Sequence, residues 1–439
     1  CVVVGAGNNG GDGLVLARLA RQAGRSVQVL RLADEGAPSA LSQRMRAQYA
    51  AAGGDLALFG DVLPPADVIV DALFGIGLNR APAGEAERVI AALNDSVAPV
   101  LALDVPSGVD AQTGHVPGVA VRAACTLQFI VAHQGLYTGN ALEYTGERQL
   151  AALTLPAAAA AGVAPSAELW QANRLPALLP PRRANTHKGE SGHVLCVGGN
   201  LGSGGAVMLA AEAALRAGAG LLSVATQPPH VGPLLTRLPE AMAHAVQDSA
   251  ELQRLLPRAS VIAIGPGLGQ DDWARECWRL ARASGLPLVV DADALNLLAA
   301  APLPMPGAVL TPHPGEAARL LGVSAAQVQA DRFNAAQQLA ERYDAVVVLK
   351  GAGTVVAAPH ARPRVISAGN PGMAVGGMGD LLTGIIVALR AQGLEAFDAA
   401  SAGALLHGLA GDDAAVDGQR GLLPTDLLVP LRRRLNPEL

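Results

Sequence analysis

Aromatic residues are scarce in this sequence. Phe, Trp and Tyr make up 3% of the 439 residues, although 51% of the residues are hydrophobic. The cores must therefore be built from Ala, Val and Leu, and a chain of this length is expected to form more than one domain.

Cysteine is also rare, and its four copies are far apart. Cys1, Cys125, Cys196 and Cys277 form no CxxC pair. We interpret them as buried free thiols in a reducing cytoplasm rather than as a metal site.

Basic tracts and long apolar runs are both absent. The formal net charge is −5 and no Lys/Arg cluster stands out, which argues against nucleic-acid binding. No apolar run is long enough to predict a membrane span. The opening CVVVGAG is interpreted as a buried strand and a glycine turn, not a signal peptide. Because a chain rarely begins inside a strand, we expect the natural protein to extend upstream.

Short runs of Val, Ile and Leu alternate with amphipathic stretches along most of the chain. This rhythm predicts α/β domains with parallel sheets and right-handed crossovers. Helices are expected near residues 13–22 and 85–93. The predicted strands are residues 1–4, 27–30, 68–70, 100–103 and 126–131 in the first half, and 194–197, 221–225, 261–264, 288–290, 308–310 and 345–349 in the second.

The rhythm pauses at an alanine-rich stretch. Residues 156–165 read PAAAAAGVAP, and the flanking prolines favour an inter-domain linker over a helix. We predict domains at residues 1–156 and 176–439, joined by a linker at residues 157–175.

A glycine-rich turn follows the first predicted strand. Residues 5–13 read GAGNNGGDG and contain GxGxxG, so a dinucleotide-binding Rossmann fold is a first interpretation. Such a site is expected to have an acidic residue at the end of the next strand, and Asp34 is the nearest candidate. Asp12 favours a different kind of site. A carboxylate is of no use in a phosphate-binding loop, but it can contribute to a site that holds a cation and a sugar hydroxyl.

Two later strands also end in an aspartate and a turn. Asp71 ends VIVD, and Asp104 ends LALD. Either residue alone could be a helix N-cap. Open α/β sheets, however, bind ligands beyond the carboxyl ends of their strands, and three such turns together favour one shared site.

The motifs GNNGGDGL, DALFGIGL and LDVPSGVDAQTG resemble the epimerase domain of the bifunctional NAD(P)H-hydrate repair enzymes, over residues 1–156. The resemblance implies Asp104 as the acid/base residue and a K⁺ ion held by Asn9, Asp71 and Ser107. It also implies a family N-terminal helical segment that this chain lacks. The residues implied to bind the hydrated dinucleotide are Asn8, Asn9, Gly10, Gly11, Asp12, Gly75, Ile76, Gly77, Leu78, Asn79, Arg80, Ala81 and Asp104.

The densest pattern of the second half is NPGMAVGGMGDLLTG, at residues 370–384. Its glycines precede a predicted helix whose first turn carries Asp380. Backbone N–H groups at a helix N-terminus bind anions. A carboxylate beside them suits phosphoryl transfer, because the amides stabilise the moving group while the carboxylate takes a hydroxyl proton. The alternative, a packing turn capped by Asp380, needs only one glycine.

Further turns carry polar residues. Lys350 ends VVVLK before GAGT, where it can reach phosphate oxygens and Thr354 can donate a hydrogen bond. Asp291 and Asp293 in DADALN are either caps or groups that orient a phosphate and metal network. His313 in TPHPGE is either a structural histidine or a ligand contact.

These motifs, with HKGESGHVLCVGGN and GPGLG, resemble the ribokinase-like ADP- or ATP-dependent NAD(P)H-hydrate dehydratase domain, over residues 187–428. Met378 stands where that family has a small hydroxyl residue. The resemblance implies that the hydrated cofactor contacts Ala206, Gly267, His313 and Asp380. It implies that the nucleotide contacts Lys350, Gly351, Ala352, Gly353, Thr354 and Gly379.

The resemblance also implies a reaction. The first domain would interconvert the (R) and (S) hydrates NADHX and NADPHX. The second would phosphorylate the C6 hydroxyl of the (S) form from ADP through Asp380 and then eliminate phosphate. K⁺ is implied for the epimerase domain and Mg²⁺ for the dehydratase domain. We expect a cytoplasmic homo-oligomer, a tetramer or larger, with neither nucleic acid nor membrane as partner.

Three alternatives stay open. The second domain could be a small-molecule kinase acting on a vitamin-like alcohol, since such kinases share the fold and the anion-binding helix N-terminus. Such a kinase, however, has no use for a first domain that contains NNGGD. The first domain could belong to an NAD-dependent dehydrogenase, or it could be a non-catalytic dinucleotide-binding module. Both ADP and ATP stay open as the donor, as do both hydrates as the substrate.

Overall fold

The structure, a computed structural model, describes residues 1–33, 36–78, 80–155 and 162–436. The predictions made for Asp34, for Asn79 and for the alanine run at 156–161 therefore lie outside the described residues. The chain divides into two compact units, Cys1–Pro165 and Ser166–Leu439. Each unit is built on its own sheet.

The first unit has a doubly wound parallel sheet. Its described strands are Val2–Val4 (β1), Val29–Arg31 (β2), Leu56–Leu58 (β3), Ile69–Ala72 (β4), Val100–Leu103 (β5), Cys125–Phe129 (β6) and Glu147–Ala151 (β7). The strand order is β3-β2-β1-β4-β5-β6-β7, and each of these pairings is parallel. The order reverses between β1 and β4, which is where sheets of this kind bind ligands.

The described helices of this unit are Asn8–Gln22 (α1), Ala40–Ala51 (α2) and Glu85–Asp95 (α3). Helix α1 corrects one expectation, because it begins at Asn8 rather than at Gly13. The NNGGD segment thus begins a helix and is not a free loop. Its glycines serve close packing: a β-carbon at Gly10 would lie 1.9 Å from the Gly5 carbonyl oxygen, and one at Gly13 would lie 2.5 Å from Ala72 Cβ.

The second unit has a larger, mixed sheet. Its described strands are Glu168–Leu169 (β8), His193–Val197 (β9), Leu221–Thr226 (β10), Met242–Ala245 (β11), Val261–Ile264 (β12), Leu288–Val290 (β13), Val309–Leu310 (β14), Val346–Leu349 (β15), Thr354–Ala357 (β16) and Arg364–Ile366 (β17). They lie in the order β11-β10-β9-β12-β13-β14-β15-β16-β17-β8. Strands β15, β16 and β17 pair antiparallel, and the other pairings are parallel.

The described helices of the second unit are Leu175–Leu178 (α4), Gly204–Arg216 (α5), Val231–Arg237 (α6), Ser249–Leu255 (α7), Asp272–Ala283 (α8), Ala292–Ala300 (α9), Pro314–Leu321 (α10), Ala325–Ala330 (α11), Arg332–Tyr343 (α12), Met378–Ala391 (α13), Ala396–Ala414 (α14) and Leu428–Arg434 (α15). Helices α5 and α13 pack closely, because a β-carbon at Gly384 would lie 2.1 Å from the Ala210 carbonyl oxygen. None of the described helices has the length and apolar character of a membrane span.

The predicted α/β class and two-domain arrangement are confirmed. The predicted strands are present, but the antiparallel strands β16 and β17 and several edge strands were not expected. Strands β7 (ERQLA) and β11 (MAHA) lie at sheet edges and leave much of their surface exposed, so they lack the continuous apolar run of a buried strand. Strand β8 falls inside residues 157–175, the segment expected to be a linker.

The cysteines are free thiols; Cys196 and Cys277 are buried, as expected, whereas Cys1 and Cys125 are partly exposed. Burial raises the pKa of Cys196 and of Cys277 to about 12. Both thiols are therefore protonated at neutral pH, and neither is a reactive nucleophile.

Candidate active sites

In the first unit, Asp71 and Ser107 form a buried pair at the carboxyl end of β4. Asp71 is the third residue of β4 and is fully buried. Its Oδ1 accepts a 2.6 Å hydrogen bond from Ser107 Oγ, and its Oδ2 accepts one of 2.8 Å from Ser107 N. Burial raises the pKa of Asp71 to about 6, although the bonds from Ser107 oppose the shift. Asp71 is thus a strand residue held by Ser107, and not a helix cap.

Asn9 joins this pair through the backbone of Phe74. Asn9 Nδ2 donates to the Phe74 carbonyl oxygen at 2.9 Å, and Ser107 Oγ accepts from Phe74 N at 2.8 Å. Asn9 Oδ1 is buried and has no hydrogen-bond partner among the described residues. The structure therefore brings together Asn9, Asp71 and Ser107, the three residues predicted as potassium ligands.

Asp104 follows β5 in a left-handed conformation, with φ of 64°. This conformation is uncommon for a residue with a side chain, and such strain concentrates at functional sites. A β-carbon at Gly75 would lie 3.6 Å from Asp104 Oδ2 and 3.2 Å from Asn9 Cβ. Asp104 therefore lies against the start of the predicted substrate segment.

A histidine that no motif indicated contacts this carboxylate. His133 Nε2 lies 2.9 Å from Asp104 Oδ1, and both side chains are largely buried. His133 has no recognisable local motif, because it lies beyond β6 in the stretch VAHQG. The one available signal was that β6 is the next strand of the sheet after β5.

The remaining predicted residues of the first site lie around this centre. Asp12 is the fifth residue of α1, and burial together with the charge of Asp104 raises its pKa. Asn8 accepts a 2.7 Å hydrogen bond from Ser39 Oγ. Gly10 and Gly11 are buried in the start of α1. Of the segment after Gly75, the exposed residues are Ile76, Gly77, Arg80 and Ala81, and Leu78 is half-buried.

In the second unit, Asp380 lies in the first turn of α13, as predicted. Gly377 precedes this helix with φ of 94°, a conformation that favours glycine. Burial, together with the charge of Asp291, raises the pKa of Asp380 to about 7, although Lys350 opposes the shift. A carboxylate with a pKa near neutrality can accept a proton at working pH.

Lys350 lies beside the start of α13. Its Nζ is 2.7 Å from Asp291 Oδ1 and 3.8 Å from Glu316 Oε2. A β-carbon at Gly379 would lie 3.1 Å from Lys350 Nζ, so a glycine there lets the lysine reach the helix N-terminus. Burial lowers the pKa of Lys350, but the neighbouring carboxylates outweigh it and the net shift is upward. Lys350 is therefore protonated.

Asp291 contacts Lys350 and Thr383 and does not cap a helix. It stands at the N-cap position of α9 without a capping hydrogen bond. Instead, its Oδ2 accepts a 2.8 Å hydrogen bond from Thr383 Oγ1 while Oδ1 contacts Lys350. Thr383 was not among the predicted site residues, although it lies one turn after Asp380 in DLLTG.

His313 caps helix α10 and stays accessible. Its Nδ1 accepts hydrogen bonds from Gly315 N at 3.0 Å and Glu316 N at 3.4 Å. Half of the side chain is exposed, and burial of the rest lowers the pKa of the ring. A neutral ring that accepts at Nδ1 carries its proton on Nε2, which can donate to a ligand. Both interpretations of His313 are thus compatible, since the cap fixes the ring.

Ala206 and Gly267, two predicted substrate contacts, are neighbours. A β-carbon at Gly267, which has φ of 59°, would lie 3.2 Å from Ala206 Cβ. Asp293 holds the same GPGLG turn, because its Oδ2 accepts a 2.8 Å hydrogen bond from Gly269 N. Asp293 therefore positions a loop.

The predicted nucleotide turn, residues 350–354, is held by a buried arginine. Arg332 Nη2 donates to the carbonyl oxygens of Leu349 at 3.1 Å and Lys350 at 3.2 Å. Arg332 is fully buried, which lowers its pKa to about 10 and still leaves it charged at neutral pH. Thr354 Oγ1 donates to the Gly351 carbonyl oxygen at 3.2 Å. No motif pointed to Arg332.

These two sites define an enzyme of two α/β units. One unit has a carboxylate and an oxygen-rich cradle at the switch point of a doubly wound sheet. The other has a carboxylate of near-neutral pKa beside a lysine and a helix N-terminus, a combination suited to phosphoryl transfer.

Comparison with known families agrees with this division. Residues 194–433 match the family described as NAD(P)H-hydrate dehydratase, and residues 1–135 match the family described as YjeF-related protein N-terminus. A bifunctional NAD(P)H-hydrate repair enzyme of Coxiella burnetii is 47% identical over 447 residues, covering 99% of this chain and 90% of the relative.

Two solved structures resemble the second unit. A ribokinase-like superfamily protein of Enterococcus faecalis has a TM-score of 0.58 at 32% identity, covering 62% of this chain and 96% of its own. An ADP/ATP-dependent NAD(P)H-hydrate dehydratase of Bacillus subtilis, co-crystallised with ATP and Mg²⁺, has a TM-score of 0.55 at 30% identity, covering 62% and 98%. The chain belongs to the family of bifunctional NAD(P)H-hydrate repair enzymes. The predicted family and the ribokinase-like fold are confirmed, and the kinase alternative is not supported.

Proposed function

We propose that this chain repairs hydrated nicotinamide dinucleotides in two steps. Its first unit epimerises the (R) and (S) hydrates of NADH and NADPH, and its second dehydrates the (S) form while converting ADP to AMP and phosphate. The observation that carries the proposal is the placement of Asp380, whose pKa is about 7, in the first turn of α13 beside Lys350.

The dehydration proceeds by phosphorylation and elimination. Asp380 takes the proton of the C6 hydroxyl, whose oxygen attacks the terminal phosphorus of ADP while the bond to AMP breaks. The C6–O bond then breaks with loss of a proton from C5, phosphate departs, and the C5=C6 double bond returns. Phosphate is a far better leaving group than hydroxide, which is why the dehydration consumes a nucleotide.

The chain's own groups support the transfer electrostatically. Lys350 Nζ and the N–H groups that begin α13 face the charge that develops on the moving phosphoryl group. Gly379, with residues 350–354, is the proposed nucleotide contact. Ala206, Gly267 and His313 are the proposed contacts of the hydrated dinucleotide.

Mg²⁺ fits this site as an ion that arrives with the nucleotide. Among the described residues, no group of three or more His, Cys, Asp or Glu side chains forms a metal cage. Mg²⁺ usually binds through one or two carboxylates together with phosphate oxygens. The relative co-crystallised with ATP and Mg²⁺ supports this proposal. When bound, the ion neutralises phosphate charge.

Epimerisation uses Asp104 as the acid/base group. Asp104 takes the C6 hydroxyl proton and the N1–C6 bond breaks, with its electron pair left on N1, which receives that proton. The C6 aldehyde turns about the C5–C6 bond and the ring recloses on its other face by the reverse steps. The proposed dinucleotide contacts are Asn8, Gly10, Gly11, Asp12 and residues 75–81.

K⁺ fits the cradle of Asn9, Asp71 and Ser107. Asn9 Oδ1 is buried without a partner in the described part of the chain, and a buried oxygen without a donor is costly. The neighbouring Asp71 carboxylate and Ser107 hydroxyl supply further oxygens and one negative charge. A bound monovalent cation would satisfy these oxygens and offset the charge of a pyrophosphate nearby.

We further propose a cytoplasmic homo-oligomer, a tetramer or larger, with an epimerase domain at 1–156 and a dehydratase domain at 176–439. Light scattering of the purified chain measures the molar mass and hence the number of subunits in the oligomer.

The product balance tests the proposed reaction. Purified chain, (S)-NADH hydrate, ADP and Mg²⁺ should yield NADH, AMP and phosphate in equal amounts. NADH formed without AMP, or AMP formed without the hydrate, would contradict phosphorylation followed by elimination.

A further inference from the structure

We propose that His133 is a positioning residue of the epimerase reaction, holding Asp104 so that one oxygen faces the substrate. The inference rests on the proposed role of Asp104. It concerns a residue outside the family motifs, which reaches the site only through the fold.

The two oxygens of Asp104 have different surroundings. Oδ1 is 2.9 Å from His133 Nε2 and accepts a 3.4 Å hydrogen bond from Phe129 N. Oδ2 faces Gly75, where a β-carbon would lie 3.6 Å away, and no hydrogen bond from the described residues reaches it. Oδ2 is therefore the oxygen available to the C6 hydroxyl, and His133 occupies the other.

His133 is itself held in place. Its backbone N–H donates to Gln128 Oε1 at 2.8 Å, and Gln128 Nε2 donates to Tyr137 Oη at 3.1 Å. Gln128 is fully buried in β6. The chain from Tyr137 through Gln128 thus sets the loop that presents the ring, and the ring sets the carboxylate.

The restraint matters because Asp104 has an unusual backbone. Its φ of 64° is uncommon for a residue with a side chain and persists only where the surrounding contacts hold it, and His133 supplies one of those contacts. An N–H donor at the His133 Nε2 position meets this need without a change of charge. The inference therefore requires the donor and not a titrating group.

Two variants of equal polarity separate this role from general folding. In His133→Gln, the amide N–H lies near the position of Nε2 and reaches Asp104. In His133→Asn, the shorter amide does not. His115→Gln is the control, because His115 is the other histidine of the first unit. Each is measured in the full chain without ADP, by following conversion of pure (R)-NADH hydrate to the mixture of epimers.

We expect His133→Asn to lower kcat about 100-fold, the loss typical of a misplaced catalytic group, with little change in KM. His133→Gln should retain most of the activity, and His115→Gln all of it. Dehydration of the (S) hydrate with ADP should be normal in each variant. Wild-type kcat in His133→Asn, or equal losses in the Gln and Asn variants, would overturn the inference.

Asp104→Asn distinguishes a wrong role for His133 from a wrong assignment of Asp104 as the acid/base group. If Asp104→Asn loses epimerisation while His133→Asn keeps it, Asp104 acts without His133. If Asp104→Asn retains epimerase activity, Asp104 is not the base, and the proposed positioning role of His133 is wrong as well.

Discussion

Lys350 Nζ lies 2.7 Å from Asp291 Oδ1, and the carboxylate is almost completely buried. The two residues are 59 positions apart in the sequence and meet because β13, β14 and β15 are neighbours in the sheet. The pair holds the lysine against Gly379. It also acts on Asp380, whose pKa Asp291 raises and Lys350 lowers.

The pH profile of dehydratase kcat/KM should therefore have its acid limb, where activity falls as the pH decreases, near neutral pH. Asp380 acts as a base only when deprotonated, so kcat/KM should rise as the pH increases through about 7. Lys350→Met removes the group that opposes the raised pKa of Asp380, and this limb should move to higher pH. Lys188→Met, at an exposed lysine, should leave the limb in place. A limb that does not respond to Lys350→Met would contradict the coupling.

Asp380→Asn should stabilise the protein while it removes activity. The native pKa of about 7 exceeds the ordinary 3.8, so the native state binds more protons and stability falls as the pH rises from about 4 to 7. Asn carries no charge and avoids this loss. We expect the free energy of unfolding to increase by up to about 4 kcal/mol at pH 8, since the shift of about 3 pKa units is worth about 1.4 kcal/mol per unit, and to change little below pH 4. Urea titrations measure it, and the exposed Asp272→Asn is the control.

Arg332→Met should loosen the nucleotide turn. The carbonyl oxygens of Leu349 and Lys350 would lose their donor, which destabilises the unit by about 1–3 kcal/mol. Because the turn is a proposed nucleotide contact, KM for ADP should rise by about tenfold, near 1.4 kcal/mol, with a smaller effect on kcat. Steady-state kinetics checks both. An unchanged KM for ADP in a folded Arg332→Met variant would show that the turn does not contribute to nucleotide binding. The control is Arg275→Met, at an exposed arginine, which should change neither KM for ADP nor stability.

Potassium should stabilise the first unit and support epimerisation. A ligand bound only by the native state raises the melting temperature as its concentration increases. K⁺ should therefore raise the melting temperature of the wild-type chain more than Na⁺ or Li⁺ at the same ionic strength. Asn9→Ala should weaken that response and raise the K⁺ concentration needed for half-maximal epimerase activity. An equal response to K⁺ and Na⁺ would argue against a specific cation site.

Local patterns in the sequence predicted the parts of the sites that depend on backbone geometry. A glycine run followed by a helix places Asp380 at a helix N-terminus whatever the rest of the fold does. Strand ends likewise predicted Asp71 and Asp104, because parallel strands bring their carboxyl ends to one edge of the sheet. These features need only a few consecutive residues.

The parts that were missed depend on contacts between distant residues. His133 reaches Asp104 because β5 and β6 pair, and Arg332 reaches the nucleotide turn because α12 packs beside β15. Neither residue has a local pattern that distinguishes it from an ordinary polar residue. The start of α1 was misplaced for another reason, since its glycines suggested a loop although they allow the helix to pack against the sheet.

The most direct test of the central claim is a comparison of wild type with Asp380→Asn on (S)-NADH hydrate, ADP and Mg²⁺. Return of the dihydronicotinamide absorbance is followed, and ADP binding is measured separately by calorimetry. We predict that wild type regenerates NADH and that Asp380→Asn binds ADP but regenerates none. Regeneration of NADH by Asp380→Asn at the wild-type rate would contradict the account.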